Sequence, residues 1–273
     1  LAEQITEMVL IGEVELPPLP EIAVRAQRIL ASDRVNTREL SEVLHADTAI
    51  VASLLRIANS ACFGGLGRVE NVNMAVQRIG MHEVGTMITG LSLKGYFNHP
   101  SAAKRQLLSV LWDHSVTTAF AARELAAELD VNKDAAFLGG LLHDCGKVIV
   151  LSAFDRMESA HGAPTPTRAL LIELMNHLHP TLGHHLLKTW NVAPEVAAVA
   201  RDHAERHADA TDLLLCVQAA NLITRKLGFH LEPDPEIQLT IHPIIEDLRL
   251  SDLALAELMV DMEDHLTEMK RNF

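Results

Sequence analysis

Apolar residues in this chain recur at spacings of three and four along nearly its whole length, while strand-like alternation never persists for more than a few residues. That periodicity restricts the chain to packed helices, and the expected fold class is all-α. Ala, Leu and Glu fill the long segments, as good helix formers do. Helices are expected near 2–11, 20–32, 37–46, 48–60, 71–96, 103–130, 133–153, 167–190, 194–207, 211–227 and 251–270. Asn36-Thr37 before Glu39 reads as a helix start, and Pro20, Pro180 and Pro194 read as first-turn prolines. Gly64–Gly67, Gly162–Pro166 and Gly228–Pro235 read as loops. The last helix carries an apolar stripe of Leu255, Leu258, Met259 and Met262, expected to face the core or a partner.

Hydrophobic residues make up 48% of the 273 and charged residues 22%, enough apolar surface for a core and too little charge for disorder. Acidic residues outnumber basic ones 36 to 23, a net charge of −13 that argues against nucleic acid as a partner. Cys62, Cys145 and Cys216 are odd in number and widely spaced, which suits reduced thiols and a cytoplasmic location. No basic-then-apolar leader opens the chain, and no apolar run reaches the roughly 20 residues of a membrane span, so no membrane partner is expected.

Histidine is over-represented, with 15 against 10 aromatic residues. His114 falls on the apolar face formed by Leu107, Leu111, Thr118, Ala121 and Leu125 and so points inward. The segment Ala135–Leu151 is apolar nearly all round and reads as one buried helix interrupted by His143, Asp144 and Lys147. A buried Asp is costly unless paired or bound to a cation. An Asp144–Lys147 ion pair at i, i+3 and a metal site are both open at this point. With Pro180 starting a helix, His179 would stand at its mouth, followed by His184 and His185. Asp202-His203 and Asn221, on the stripe Leu214, Val217, Asn221, complete an inward-facing polar set spread over five helices.

His114 followed by His143-Asp144 in HDCGK resembles the HD superfamily of metal-dependent phosphohydrolases. LPPLPEIAVRAQRIL (16–30), LHADTAIVASLLRIANSACFG (44–64), AVQRIGMHEV (75–84), WDHSVTTA (112–119), AFLGGLLHDCGK (136–147) and HPTLGHHLLKTW (179–190) narrow the resemblance to the HDOD domain, a bacterial signalling relative of HD and HD-GYP domains. It divides the chain into an N-terminal helix (1–13), an HDOD unit (14–207, with an N-terminal half 14–100 and an HD-like half 101–207) and a C-terminal helical extension (208–273).

The resemblance implies metal ligands at His114, His143, Asp144, His179 and His203, with Asn221 where HD enzymes place a final Asp and Asp202 as a further candidate. It assigns Lys147, with Asp144, to the catalytic set, facing a substrate phosphate. The imidazole-rich set would take a divalent transition metal (Fe, Mn, Zn or Ni), with one tight position and a second that is weak or empty because Asn221 lacks the charge. Nothing like the HD-GYP signature follows His203, which argues against cyclic-dinucleotide cleavage. Three functions are consistent with this. The chain could be a signalling module that keeps a metal site and contacts signalling proteins, an active phosphohydrolase for a phosphorylated small molecule, or a metal-free structural adaptor.

Overall fold

The computed structural model describes residues 1–30, 37–44, 47–65, 67–162 and 164–273. Among them every regular element is helical. The α-helices are α1 (Ala2–Leu10), α2 (Glu21–Leu30), α3 (Thr37–Leu44), α4 (Thr48–Ala58), α5 (Val72–Ile79), α6 (Met81–Leu93) and α7 (Ala102–Glu128), then α8 (Lys133–Leu142), α9 (Gly146–His161), α10 (Arg168–Thr189), α11 (Pro194–Asp202), α12 (Asp212–Lys226), α13 (Pro243–Asp247) and α14 (Asp252–Asn272). The expected helix start at Asn36, the loop position Leu66 and the predicted helix ends at 31–32 and 45–46 lie outside the described residues.

α7 is the spine. It packs on α8, α12 and α14, while α9 packs on α10 and α10 on α11. Its inward face runs from Leu107 and Leu111 through His114 and Thr118 to Leu125, all buried. Of the N-terminal helices, α2 packs on α6 and α4 on α5, and α6 joins them to α8, while α1 packs on α9 and α10. α14 returns to cover α7 and α4. Leu255 and Met262 of its stripe are buried and Leu258 and Met259 partly so, which makes the stripe a core face. The helix ends in Phe273, 1% exposed among Trp112, Phe120 and Phe137.

The structure corrects the sequence reading at five points. The helix expected over 71–96 is two, because Gly80 takes φ +104° as cap of both α5 and α6, a region most side chains avoid. The helix expected over 133–153 breaks into α8 and α9. At the break, His143 N–H still bonds Gly139 C=O, but Cys145 bonds back three residues to Leu142, as do Lys147 to Asp144 and Val148 to Cys145. This tightening rotates His143 and Asp144 away from straight-helix positions.

Pro180 does not start a helix but sits inside α10. The short α13 falls where only a connector was expected; Pro243 opens it, and the His242 side chain accepts from Ile244 N–H. Finally, the stretch 133–160 is long and apolar enough to cross a membrane, although 83% of its most apolar window is buried inside this fold. Packing against neighbouring helices is a sufficient reason for its composition.

Asn59 caps α4 and ties it to the following chain. Its Nδ2 donates to Leu55 O (2.8 Å) and Val69 O (2.9 Å), and its Oδ1 accepts from Val69 N–H (2.8 Å). Val69 is buried, so Asn59→Ala leaves two of its main-chain groups without these partners. We expect a loss of about 1–2 kcal/mol in denaturant unfolding.

Candidate metal centre

Two glycines flanking the break in the α8–α9 stretch assemble the site. A Cβ on Gly140 would lie 2.7 Å from the Thr118 carbonyl and from Ala119 Cα, so α8 crosses α7 at van der Waals contact there. A Cβ on Gly146 would lie 2.1 Å from the His179 carbonyl oxygen, so α9 meets α10 backbone to backbone. The first contact brings His143 to His114, and the second brings Asp144 to His179.

Asp144 is 3% exposed and central. Its Oδ1 lies 3.2 Å from His179 Nε2 and 3.6 Å from His203 Nε2. Its Oδ2 lies 3.5 Å from His143 Nε2, 3.6 Å from His114 Nε2 and 2.6 Å from Lys147 Nζ. The imidazoles face each other in pairs, His114 and His143 with Nε2 atoms 3.2 Å apart, His179 and His203 with Nε2 atoms 3.1 Å apart. The structure thus gathers His114, His143, Asp144, His179, His203 and Lys147, and the i, i+3 ion pair is present at its centre.

The other nitrogen of each ring determines the chemistry. His114 Nδ1 lies 2.6 Å from the Phe229 carbonyl and His143 Nδ1 lies 2.7 Å from that of Gly140. His179 Nδ1 bonds Met175 O (2.8 Å) and Asn176 O (3.0 Å), and His203 Nδ1 bonds Val199 O (3.2 Å) and Ala200 O (3.1 Å). A carbonyl oxygen only accepts, so each Nδ1 carries its hydrogen, and a ring that is neutral turns a bare Nε2 lone pair toward the cluster. Four Nε2 atoms and two carboxylate oxygens converge, and among the described residues Lys147 is the ammonium paired with them. Such a set lacks positive charge.

Protonation of His114, His143 and His179 does not supply it. Burial pushes His143 down to about 3 and His179 to about 4, and drives His114 well below the ordinary imidazole value, in each case outweighing the pull of Asp144. Burial pushes Asp144 up, but the Lys147 ammonium and the surrounding imidazoles outweigh it and hold the carboxyl well below the usual range.

Pro180 has a role here. It has no N–H to give the Asn176 carbonyl one turn back, and His179 Nδ1 takes that acceptor instead. Pro180→Ala restores the competing N–H. We expect it to steady the helix while weakening metal retention by roughly tenfold, the lower end for loss of a ligand's orienting partner; metal titration of the variant checks this.

Of the remaining sequence candidates, Asp202 stands apart. Asp202 forms a bidentate ion pair with Arg201 (both contacts 2.7 Å), which satisfies its carboxylate outside the cluster. Asn221 hydrogen-bonds to none of the five side chains; its Oδ1 is buried and accepts no hydrogen bond.

The sequence reading missed His230. It lies in the loop after α12, with its ring 4.6 Å from that of His114 and perpendicular to it, and with His114 and Asp144 it forms a group whose donor atoms all lie within 4.8 Å of one another. His143, Asp144 and His203 form another such group, so Asp144 belongs to both. The same loop supplies the Phe229 carbonyl and is tied to α10 by Asn176 Nδ2 donating to Glu232 Oε2 (2.9 Å). No spacing rule connects a histidine in a Pro-containing loop to a helix over a hundred residues away.

Comparison with known proteins agrees with this architecture. In fold, the chain resembles a Shewanella amazonensis protein provisionally named a metal-dependent phosphohydrolase (24% identity, TM-score 0.78, 99% of this chain and 97% of that one). It also resembles an HDOD domain protein of unknown function from Geobacter sulfurreducens (20%, 0.74, 100% and 98%) and a provisionally named signal transduction protein from Marinobacter aquaeolei (21%, 0.65, 96% and 61%). Among curated proteins it is 25% identical over 223 residues to an uncharacterized protein of Treponema pallidum, covering 78% of this chain and 43% of that one. It is 23% identical over 199 residues to Ribonuclease Y of Geotalea uraniireducens, covering 72% and 30%. The chain therefore spans less than half the length of these curated relatives. The HDOD domain model matches residues 16–206, most of the chain, and the protein belongs to the HDOD family.

Proposed function

We propose that this protein is a signalling HDOD module that retains an HD-like metal site. The observation that carries this reading is the convergence of four imidazole Nε2 atoms on one buried carboxylate. His143, Asp144, His179 and His203 would hold one tight divalent transition metal, as imidazole-rich sets favour Fe, Mn, Zn or Ni. His114, which lies 3.6 Å from Asp144 Oδ2, and His230 would form a second, weaker position, with Asn221 contributing at most a neutral oxygen. An ion bound there supplies Lewis acidity toward a water and a phosphoryl oxygen.

The residues' own parts are separable. The four Nδ1–H to carbonyl bonds fix tautomer and ring orientation, so little ordering is left for the binding step. Lys147, paired with Asp144 at 2.6 Å, neutralises the carboxylate in the metal-free protein. With a metal on Asp144, the ammonium would be available to steady a phosphate as a point charge. The output of the module would be contacts with signalling proteins. Hydrolysis of a phosphorylated small molecule is the alternative reading, and Asp144 with Lys147 are its catalytic candidates.

Elemental analysis of the purified protein tests the metal, and a generic phosphatase assay with added Mn²⁺ tests the alternative. A protein free of transition metal after purification in metal-replete medium sinks the site and leaves the adaptor reading, in which the Asp144–Lys147 pair is the whole of the chemistry.

The metal-free protein should also lose stability as pH falls. The folded state keeps His143 and His179 unprotonated down to about 3 and about 4, whereas the unfolded chain binds those protons near 6.5. More protons are then bound unfolded than folded, so acid favours unfolding. Each such histidine contributes up to about 1.4 kcal/mol per pH unit below 6.5. Denaturant midpoints of the chelated protein at pH 7.5 and 5.0 check this, and equal midpoints would contradict it.

A further inference from the structure

Outside the Asp144 cluster, three donor side chains meet from elements far apart in sequence: Cys62 in the 3-10 turn Ala61–Phe63, Glu124 on α7 and His265 on α14. Glu124 Oε1 lies 3.1 Å from His265 Nδ1 and 3.9 Å from Cys62 Sγ, and the three donor atoms all lie within 4.8 Å of one another. Ligands at zinc-like bond lengths and tetrahedral angles stand roughly 3.3–3.6 Å apart, so the two Glu124 distances are within a few tenths of an ångström of that spacing, and side-chain rotation at Cys62 and His265 closes the remainder around one ion. All three side chains are half-buried, reachable by an ion yet partly withdrawn from bulk water.

The surroundings favour a cation. Glu268, one turn along α14 from His265, accepts the Ala61 N–H at 3.1 Å and sets a second carboxylate near the thiol. Burial and the Glu124 and Glu268 carboxylates push the Cys62 thiol up to about 11 against the pull of Arg123. A field that disfavours a bare thiolate is one that a divalent ion reverses. Hydrogen bonding alone accounts for the cluster less well, since 3.9 Å is at the far edge of a sulfur contact.

We propose that Cys62, Glu124 and His265 form a second metal site, for a borderline-soft divalent ion of the zinc class, which fastens α14 to the turn after α4. As the sulfur–metal bond forms, the Cys62 thiol gives its proton to solvent. Thiolate and carboxylate then balance the ion's charge, and one position stays open to water. This site is independent of the Asp144 cluster, and no residue is shared.

Cobalt(II) titration of the chelated full chain tests it, because a thiolate ligand adds an intense sulfur-to-cobalt charge-transfer band that imidazole and carboxylate ligands lack. The band should appear in the wild type and in Asp144→Ala, with release of one proton, and should vanish in Cys62→Ser. His265→Ala should weaken the titration while circular dichroism stays unchanged. Cobalt binding without the band overturns the proposal. So does a band that survives Cys62→Ser, which would assign the sulfur to Cys145 or Cys216, or an unchanged titration in His265→Ala. Because Asp144→Ala removes the buried cluster's carboxylate and none of these three ligands, failure of either site is read separately.

Discussion

Chelation of the metal-loaded protein lowers its thermal midpoint by on the order of 10 °C, and Asp144→Ala abolishes the difference between chelated and untreated protein. The magnitude follows from linkage: a ligand at about a thousand times its dissociation constant stabilises the fold by about 4 kcal/mol. For a domain near this size each kcal/mol moves the midpoint by roughly 2–4 °C. Asp144→Ala acts twice. It removes the carboxylate that all four imidazoles face, and it strands Lys147, 3% exposed, without its 2.6 Å partner. Leaving such a charge unpaired costs about 3–5 kcal/mol, so the variant should melt below even the chelated wild type. Asp144→Asn keeps the buried volume and an oxygen toward Lys147 while removing the negative charge. It therefore separates the loss of packing from the loss of charge, which still includes both the metal ligand and the Lys147 partner. Scanning calorimetry of the three proteins with and without chelator reads every case, and a chelator that leaves the wild-type curve unmoved sinks the metal site.

Gly146→Ala should be about as damaging, for a reason unrelated to charge. The added Cβ would lie 2.1 Å from the His179 carbonyl oxygen and 2.7 Å from Gly183 N, both main-chain atoms with no flexible end to swing away. α9 and α10 must separate by more than an ångström to admit it. Overpacking of this kind costs about 3 kcal/mol or more. The same displacement draws Asp144 away from His179, whose Nε2 is now 3.2 Å from Oδ1. Metal affinity and stability should therefore fall together, whereas Pro180→Ala divides them. A Gly146→Ala protein with wild-type melting and metal content would show that the helices have slack that their backbone contact denies them.

The fold class was legible because a period of 3.6 is local and repeats. The site was legible in part because a charged residue amid apolar ones, Asp144 in GLLHDCGK, needs a partner wherever the chain goes. What stayed hidden depended on single residues acting at a distance. The sequence pattern around Pro180 suggests a helix start, but packing holds α10 intact through it and reuses the freed carbonyl. The break at His143–Cys145 leaves no proline or loop composition as a marker, and only the three-residue bonds in the structure reveal it. Asp202 and His203 are adjacent, and the register of α11 decided between them: His203 turns inward while Asp202 meets Arg201. His230 was out of reach because its importance comes from a loop crossing back over α7.

That crossing bears on how relatives should be compared. The loop holds His114 through the carbonyl of Phe229, a group every amino acid possesses, so substitution at 229 leaves the hydrogen bond intact. Inserting or deleting one residue between the end of α12 and Phe229 should shift which carbonyl faces the ring. Ring orientation at His114 is thus encoded in the length of a connection and not in the identity of any residue. Two homologues with unlike letters here can share the feature, while two with near-identical letters and one gap do not.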